Sequence, residues 1–362
     1  MSDFSVERKH FLSYSRKAPE QFQQPQVFSL TNGTQVHVHA PGIIEFIPVC
    51  YRQGAGRHVL YSCGVHGNET APIEICDEIV EAILSKTVVI NTRLMVQFAN
   101  LPAMDIAERF VQENMNRLFT GAHEPQTNYE RKRAQQLEYY TETFFANAND
   151  KAHCFHYDLH TAIRDSAYPR FAVYPFKHGN KYSFSQLEWL AQAGIDAVLL
   201  SESPTTTYSY FSSRDCGVHS YTVELGKVKP FGENNMADFS LARSALFRLI
   251  LPLDQAQPFA EEVSEQRAKQ PNLPVLFRIN QSIIRSEQHF SLHFSDDTPN
   301  FTSFNQGEVF ASECNEQGQT INEFIAQQDD EAIVFPNAKV AIGQRALLTV
   351  VPVTIKDLTI DV

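Results

Sequence analysis

The sequence feature that most constrains this chain is a short loop, Gly64-Val65-His66-Gly67-Asn68-Glu69, which follows the strand-like run at residues 59–63. The loop places a histidine and a glutamate three residues apart, and its two glycines allow the backbone to turn both side chains toward one point. An imidazole nitrogen and a carboxylate oxygen are both good ligands for Zn²⁺. We therefore interpret His66 and Glu69 as half of a zinc site.

The third ligand has one best candidate, and two other pairs of histidines are conceivable metal sites. His160 ends another apolar strand-like run, and two histidines with one glutamate, leaving a position open to water, are the catalytic zinc ligands of metallopeptidases. His156 shares a strand face with His160, so this pair is an alternative site over the sheet. His37 and His39 also share a strand face, where solvated histidines are the commoner case.

Strand-like runs alternate with helical patterns over the first 250 residues. Two alternating runs around Asn32-Gly33 predict a β-hairpin with a type I′ turn, and the spacing predicts a helix over 72–84. We expect an α/β fold with a mixed, mostly parallel sheet flanked by helices. In such sheets, ligand sites form at the carboxyl ends of strands, where both proposed ligand segments lie.

The composition changes at about residue 252, where prolines and glutamines bracket a charged segment. Beyond this segment, short strand patterns and turns continue to the C-terminus. We expect a zinc hydrolase domain with an N-terminal β-hairpin over 1–251, a linker over 252–274 and a smaller β-rich domain over 275–362.

Charge and composition limit the partners of the chain. The formal net charge of −12 argues against nucleic acid and anionic membrane surfaces, which require basic patches. No stretch approaches the roughly 20 apolar residues that span a bilayer, and the N-terminus lacks an apolar signal core, so we expect a cytoplasmic protein. The six cysteines include no Cys-x-x-Cys pair, so neither a disulfide framework nor a zinc knuckle is indicated.

Two glutamates compete for the role of general base. Glu202 and Glu224 both lie in apolar strand-like segments, and apolar neighbours would raise the pKa of either carboxyl group if its side chain faced the site. Strand alternation could equally turn either side chain to solvent. Guanidinium groups near the same strand ends would select a multiply anionic substrate, since they bind carboxylates in bidentate geometry. The arginines in question are Arg109, Arg117, Arg164 and Arg214.

Over about residues 45–250 the chain resembles the aspartoacylase and succinylglutamate desuccinylase family, which is related to the zinc carboxypeptidases. The resemblance rests on five motifs that together are highly specific. These are His66-Gly67-Asn68-Glu69-Thr70-Ala71-Pro72, Asn100-Leu101-Pro102-Ala103-Met104, Arg109 with Asn114-Met115-Asn116-Arg117-Leu118-Phe119, Asp158-Leu159-His160-Thr161-Ala162-Ile163-Arg164, and Thr222-Val223-Glu224-Leu225-Gly226-Lys227.

The resemblance implies a zinc-carboxypeptidase-like fold and a function for each motif. One Zn²⁺ per chain would be bound by His66, Glu69 and His160. Glu224, and not Glu202, would be the general base and acid. Arg109 would polarise the scissile carbonyl.

The resemblance also implies the substrate contacts. Asn116 and Arg117 would bind a substrate carboxylate, and Tyr210 and Arg214 match substrate-binding residues of the aspartoacylase branch. The sequence departs from that branch at Leu101 and after His160, so Arg164 is interpreted as an anion contact of the desuccinylase branch.

The reaction implied by the resemblance is zinc-dependent hydrolysis of N-succinyl-L-glutamate to succinate and L-glutamate, the last step of arginine breakdown by the succinyl-transfer route. The expected partner is a small anionic acyl-amino acid, and a homo-oligomer is compatible with the sequence. A related zinc amidohydrolase or carboxypeptidase would share the metal residues and differ in the pocket. A noncatalytic metal-containing binding protein would lack a ligand or the base, and none is missing.

Overall fold

The computed structural model describes residues 10–22, 24–267 and 273–361. The helices are α1 (Phe11–Lys17), α2 (Thr70–Leu84), α3 (Leu101–Asp105), α4 (Tyr129–Ala146), α5 (Phe184–Gln192), α6 (Tyr208–Asp215), α7 (Ser240–Ile250) and α8 (Leu253–Arg267). The first strands are β1 (Gln26–Ser29), β2 (Gln35–Ala40), β3 (Ile43–Ile47), β4 (His58–Cys63), β5 (Arg93–Phe98), β6 (Cys154–Ala162), β7 (Phe171–Tyr174), β8 (Tyr182–Ser183), β9 (Ala197–Leu200) and β10 (His219–Lys227). The later strands are β11 (Val275–Ile284), β12 (His289–Leu292), β13 (Thr302–Phe304), β14 (Val309–Cys314), β15 (Thr320–Ile325), β16 (Glu331–Val334), β17 (Arg345–Val353) and β18 (Ile360–Asp361).

One large mixed sheet organises the molecule. Within the described residues it has thirteen strands, in the order β1-β2-β3-β5-β4-β6-β10-β7-β9-β11-β17-β16-β13. The centre is mostly parallel, because β4 pairs in parallel with β5 and β6, and β6 does so with β10. Both flanks are antiparallel. The expected α/β fold with a mixed, helix-flanked sheet is confirmed.

Helices cover both faces of the central strands, which explains why these strands are apolar on both sides. On β4, Tyr61 faces the cluster that includes α2 and α7, whereas Leu60 faces the cluster that includes α4 and α6. The helix predicted over 72–84 is confirmed and begins at Thr70.

The N-terminal hairpin forms as predicted, with β1 antiparallel to β2. The prediction of a type I′ turn is wrong. That turn needs positive φ at both central residues, and Gly33 has φ +85° whereas Asn32 does not have a positive φ. Instead, the Gly33 N–H donates to the Leu30 carbonyl at 2.9 Å, and the Asn32 side chain accepts from the Thr34 N–H at 3.1 Å.

The C-terminal β-rich region continues the large sheet. Strand β11 pairs in parallel with β9, and β17, β16 and β13 extend the sheet from there. Strands β12, β14 and β15 form a second sheet. The segment between the two regions contains α8, and residues 268–272 lie outside the described part of the chain. In the described ranges, no helix is both long and apolar enough to cross a membrane.

The strand directions bring three loops to one edge of the sheet. Strands β4, β6 and β10 are parallel, so their carboxyl ends lie together. His160 on β6 is the register partner of Glu224 on β10. The loop that follows Cys63 enters this edge directly from β4.

Candidate metal centre

The loop after β4 turns sharply because glycine is required there. A Cβ on Gly67 would lie 2.2 Å from the backbone carbon of Ala103 in α3, a distance that no side chain permits. The Gly67 N–H donates to the Arg109 carbonyl at 3.1 Å, which fixes the loop against the segment after α3. Glu69 immediately precedes α2, and its carboxylate makes no capping bond to that helix. It is therefore free to point into the site.

The three predicted ligands come together at the carboxyl edge. His66, Glu69 and His160 are all buried, and their ligand atoms lie within 4.8 Å of one another. Glu69 Oε2 is 2.8 Å from His160 Nδ1, and Glu69 Oε1 is 2.8 Å from His66 Nδ1. The second contact lacks hydrogen-bonding geometry, so His66 Nδ1 is a buried nitrogen without a hydrogen-bond partner among the described residues.

Two further side chains orient the imidazole rings. The Nε2 atom of His66 lies 3.0 Å from Asn114 Oδ1, and the Nε2 atom of His160 lies 3.0 Å from Asp158 Oδ2. Because both oxygens are acceptors, each Nε2 carries a proton. The Nδ1 atom of His66 then presents its lone pair toward Glu69, whereas the Nδ1 atom of His160 is hydrogen-bonded to Glu69 Oε2. This is the outer shell that metal-binding histidines use to fix their tautomer.

The charges around the group favour a cation. Burial lowers the pKa of His66 to about 4, so this imidazole is neutral at physiological pH. Burial also lowers the pKa of His160, but Asp158 and Glu69 outweigh it and hold the pKa well above its usual value. The two buried carboxylates of Glu69 and Asp158, which stabilise positive charge on His160, together with the unpartnered Nδ1 of His66, fit a divalent metal ion bound by nitrogen and oxygen.

Glu224 lies beside His160, its register partner on the neighbouring strand, and is almost completely buried, with 7% of its surface exposed. Burial raises the pKa of its carboxyl group to about 7, and the charge of Glu69 adds to this effect. Its Oε2 atom has no hydrogen-bond partner in the described part of the chain. A buried carboxyl group with a pKa near neutrality can both accept and donate a proton at the edge where His160 ends.

Three more predicted residues lie near the group. The Arg109 guanidinium donates to Glu69 Oε1 at 2.7 Å and is about one-third exposed. Arg117 follows Asn116 in a 3₁₀ turn, and burial, then the charge of Arg109, lowers its pKa to about 10. The Asn116 side-chain oxygen accepts from the Tyr208 N–H at 3.0 Å, which anchors the start of α6.

The remaining predicted contacts lie farther from the group, and no described hydrogen bond or ion pair joins them to it. Arg164 donates to the backbone carbonyls of the C-terminal region, at 3.1 Å to Pro336 and at 3.5 Å to Thr298. The Tyr210 hydroxyl lies 2.8 Å from His178 Nε2. Arg214 packs over the Tyr210 ring and forms an ion pair with the neighbouring Asp215.

The alternatives considered from sequence have different surroundings. His156 contacts the Ser62 hydroxyl at 2.8 Å through Nε2 and the Ser212 hydroxyl at 2.7 Å through Nδ1, so both of its nitrogens are already occupied. Glu202 forms an exposed ion pair with Arg278 at 3.0 Å. Neither residue belongs to a described group that could hold a metal ion.

A second group of this composition exists on the neighbouring strands β2 and β3, near one end of the sheet. It consists of His37, His39 and Glu45, whose ligand atoms also lie within 4.8 Å of one another. The Glu45 carboxylate is already engaged by Arg93 at 2.6 Å and by His39 at 2.8 Å.

A mostly parallel α/β sheet whose carboxyl edge holds a buried His-Glu-His group beside a buried glutamate is the arrangement expected of a metal-dependent hydrolase. The family described as Succinylglutamate desuccinylase/Aspartoacylase catalytic domain matches residues 55–250, and the AstE/AspA barrel-sandwich hybrid domain matches residues 272–353. The chain belongs to the succinylglutamate desuccinylase and aspartoacylase family.

Individual relatives match almost the whole chain. The succinylglutamate desuccinylase of Pseudoalteromonas atlantica is 45% identical over 350 residues, which cover 95% of each chain. That of Idiomarina loihiensis is 44% identical over 352 residues, or 96% of this chain and 97% of the relative. The crystal structure of the succinylglutamate desuccinylase from Chromobacterium violaceum has 35% identity and a TM-score of 0.78, and the match covers 96% of this chain and 98% of that one.

Sequence reasoning missed the orienting roles of Asn114 and Asp158. A signal for Asp158 was present, because it lies two residues before His160 on the same strand face. Asn114 gave no such signal. It approaches His66 across 48 residues of sequence, and only the folded loop after α3 brings the two side chains together.

Proposed function

We propose that the chain is a zinc-dependent amidohydrolase that converts N-succinyl-L-glutamate and water to succinate and L-glutamate. The observation on which this rests is the buried group of His66, Glu69 and His160, with Glu224 in register beside His160. Relatives named succinylglutamate desuccinylase, identical at 44–45% of positions over almost the whole chain, support the choice of substrate.

The metal would be held by His66 Nδ1, the Glu69 carboxylate and His160 Nδ1. Two imidazoles and a carboxylate form a donor set that suits Zn²⁺. When bound, zinc supplies Lewis-acid chemistry, which acidifies water and polarises a carbonyl oxygen. Asn114 and Asp158 hold the two rings so that both Nδ1 atoms face Glu69, and His160 Nδ1 would lose its proton when the metal binds.

Glu224 would move the proton in both halves of the reaction. The water oxygen attacks the amide carbon while Glu224 accepts a proton from that water. The carbon–nitrogen bond then breaks, and Glu224 returns the proton to the departing amine of glutamate, so the carboxylate is regenerated. Because burial raises the pKa of Glu224 to about 7, its protonated and ionised forms are both populated near neutral pH, so it can accept a proton and donate it again.

Arginine side chains would stabilise the charges of the substrate. Arg109 is assigned to the scissile carbonyl, where its guanidinium would stabilise the oxyanion that develops during attack. Asn116 and Arg117 are assigned to a substrate carboxylate, and the desolvation of Arg117 would strengthen that contact.

Three predicted substrate contacts, Tyr210, Arg214 and Arg164, already bind other groups of the protein. Tyr210 and Arg214 are proposed substrate contacts, and Arg214 would have to exchange Asp215 for a substrate carboxylate. The bonds of Arg164 to the carbonyls of Pro336 and Thr298 favour a role in fastening the C-terminal region to the end of β6.

The proposed function also extends to the domains, the substrate class and the location of the protein. We assign residues 1–251 to the hydrolase domain, 252–274 to the connection and 275–362 to the C-terminal domain. A small anionic acyl-amino acid is the expected partner, and the cytoplasm is the expected location.

A substrate panel tests the proposal directly. Metal-free enzyme would be assayed before and after one equivalent of Zn²⁺ with N-succinyl-L-glutamate, N-acetyl-L-aspartate and a C-terminal dipeptide. We expect zinc-dependent release of glutamate from the succinyl substrate and little turnover of the others. A preference for N-acetyl-L-aspartate would reassign the pocket, and no turnover of any substrate would favour a noncatalytic binding protein.

A further inference from the structure

The C-terminal region reaches the carboxyl edge of the sheet beside the metal centre. The Phe335 ring packs on the Phe171 ring with centroids 5.5 Å apart, and Phe171 is the register partner of Glu224. The Arg164 guanidinium, four residues beyond His160, donates to the Pro336 carbonyl at 3.1 Å. Residues 335–336 therefore lie beside the strand ends that form the site.

From this point the chain loops out and returns at Arg345. The Asn337 N–H donates to the Ala346 carbonyl at 2.7 Å, so the two ends of the loop are fastened together. Arg285 further holds the loop by donating to the Val340 carbonyl at 2.8 Å. Arg345 is thus fixed at the start of β17, next to the segment that contacts the site.

The Arg345 side chain is unusual among the arginines of this region. The side chains of Arg164 and Arg285 bind backbone carbonyls, whereas the half-buried side chain of Arg345 forms no hydrogen bond or ion pair with any described residue. Removing a guanidinium from water without giving it a hydrogen-bond acceptor costs free energy, so such a group indicates that an anionic ligand supplies the acceptor.

Positive charge accumulates between Arg345 and the metal centre. Burial, and then the charge of Arg117, lowers the pKa of Arg345 to about 9. Burial and the charge of Arg109 do the same to Arg117. Arg109 contacts the Glu69 carboxylate, Arg117 is close enough to Arg109 to be affected by its charge, and Arg345 is close enough to Arg117 in the same way. Mutual repulsion of this kind is relieved by a ligand with several carboxylates.

We propose that Arg345 binds a carboxylate of the substrate, so that the C-terminal region contributes directly to specificity. This inference rests on the proposed function, since N-succinyl-L-glutamate carries three carboxylates for the arginines of the site. Arg345 does not contact the reacting atoms. It is a specificity residue that the sequence motifs did not indicate.

The test compares wild type and Arg345→Leu on four substrates. These are N-succinyl-L-glutamate and three analogues that each lack one carboxylate, namely N-butyryl-L-glutamate, N-succinyl-L-norvaline and N-succinyl-L-isoglutamine. Loss of one charged hydrogen-bonded contact lowers kcat/KM by about 10- to 100-fold on the parent substrate. With the analogue that lacks the contacted carboxylate, the variant and wild type should differ by less than about twofold, and this analogue identifies the carboxylate.

Two further variants separate recognition from folding. Arg345→Lys keeps the charge but not the guanidinium fork, so it should show the same dependence on the analogue with a smaller loss. Arg285→Leu is the matched control, because Arg285 in the same region binds only backbone carbonyls. It should lower Tm without any dependence on the analogue.

The outcomes distinguish this inference from the proposed function. An equal loss of kcat/KM on all four substrates, in both Arg345 variants, would overturn the assignment of Arg345 while leaving the proposed reaction intact. No turnover of N-succinyl-L-glutamate by the zinc-loaded wild type would overturn the proposed function itself, and this inference with it.

Discussion

Two groups of two histidines and one glutamate lie at different places on the same sheet. His66, Glu69 and His160 lie at the carboxyl edge of parallel strands, whereas His37, His39 and Glu45 lie on the antiparallel strands β2 and β3. In both groups an arginine contacts one glutamate oxygen. They differ in the number of buried polar atoms that remain available to an ion.

In the edge group, both imidazole rings are oriented from outside. Asn114 and Asp158 bind the two Nε2 atoms, and His66 Nδ1 is left buried without a hydrogen bond to the described chain. In the hairpin group, Arg93 directs two nitrogens at a single oxygen of Glu45 and lies over the rings of Tyr51 and Phe144. The charge of Glu45 is therefore already balanced by protein.

This difference teaches that ligand type and proximity do not define a metal site. An arginine contacts the glutamate in both groups, so the orientation of the rings and the presence of a buried nitrogen without a partner decide whether a group of ligands is prepared for an ion. We accordingly expect the edge group to bind zinc tightly and the hairpin group to act as a structural ion pair.

The largest expected effect separates the two groups directly. His160→Ala should abolish stoichiometric zinc binding and lower turnover by a factor on the order of 10⁴, because metal catalysis supplies several kcal/mol. His39→Ala should leave both unchanged. Zinc content by atomic absorption and turnover of N-succinyl-L-glutamate are the measurements. A loss of bound zinc in His39→Ala, with retention in His160→Ala, would reverse the assignment.

The next largest effect tests the role of Glu224 as general base separately from metal binding. Glu224→Gln should retain zinc but lose a factor of about 10² to 10⁴ in kcat. In the wild type, activity should rise with pH as Glu224 loses its proton. Burial raises the pKa of Glu224 to about 7, and a metal ion nearby would lower it. The midpoint of the rise in activity should therefore lie at or below about pH 7. The control is Glu202→Gln, which alters an exposed ion pair. Near-normal turnover in zinc-loaded Glu224→Gln would remove Glu224 from the mechanism.

A smaller effect tests the outer shell that distinguishes the groups. Asp158→Asn and Asn114→Ala should each weaken zinc affinity by about 10- to 100-fold, because a ring that is not held loses its preferred tautomer. Competition with a chelator measures the affinity, and Tyr140→Phe, which changes a residue packed on His39, is the control. Unchanged affinity in both edge variants would show that ring orientation does not matter here.

The smallest effect concerns the hairpin group. Burial raises the pKa of Glu45, but His39 and Arg93 outweigh it and hold the pKa below 4.5. A lowered folded-state pKa contributes stability that is present above pH 4.5 and is lost as pH falls through the folded-state value. Wild type should therefore lose more stability than Glu45→Gln on acidification from about pH 7, as measured by urea unfolding. Parallel pH profiles for the two proteins would contradict the ion-pair interpretation.

The sequence predicted the parts of the fold and site that depend on local pattern. The alternation of strands and helices indicated the central sheet, and the loop after β4 and the strand-like run that ends at His160 indicated the three buried residues that the fold brings together. Strand alternation could not choose between Glu202 and Glu224. Burial distinguishes them, and burial depends on which strands become neighbours in the sheet.

Features that arise from distant contacts were not predictable. The continuation of the large sheet through β9 and β11 joins strands separated by about 75 residues, and no local pattern records that pairing. The meeting of Arg164 with Pro336 spans 172 residues. The type I′ turn failed for a local reason, because the Asn32 side chain bonds to Thr34 instead of adopting positive φ.

The most direct test of the central claim is a zinc titration of metal-free enzyme that follows bound zinc and glutamate release from N-succinyl-L-glutamate together. We predict that both rise in parallel and that activity is complete at one ion per chain, with no further gain when a second ion is added. Full activity without zinc, or activity that appears only when a second ion binds, would contradict a single catalytic metal centre at the carboxyl edge of the sheet.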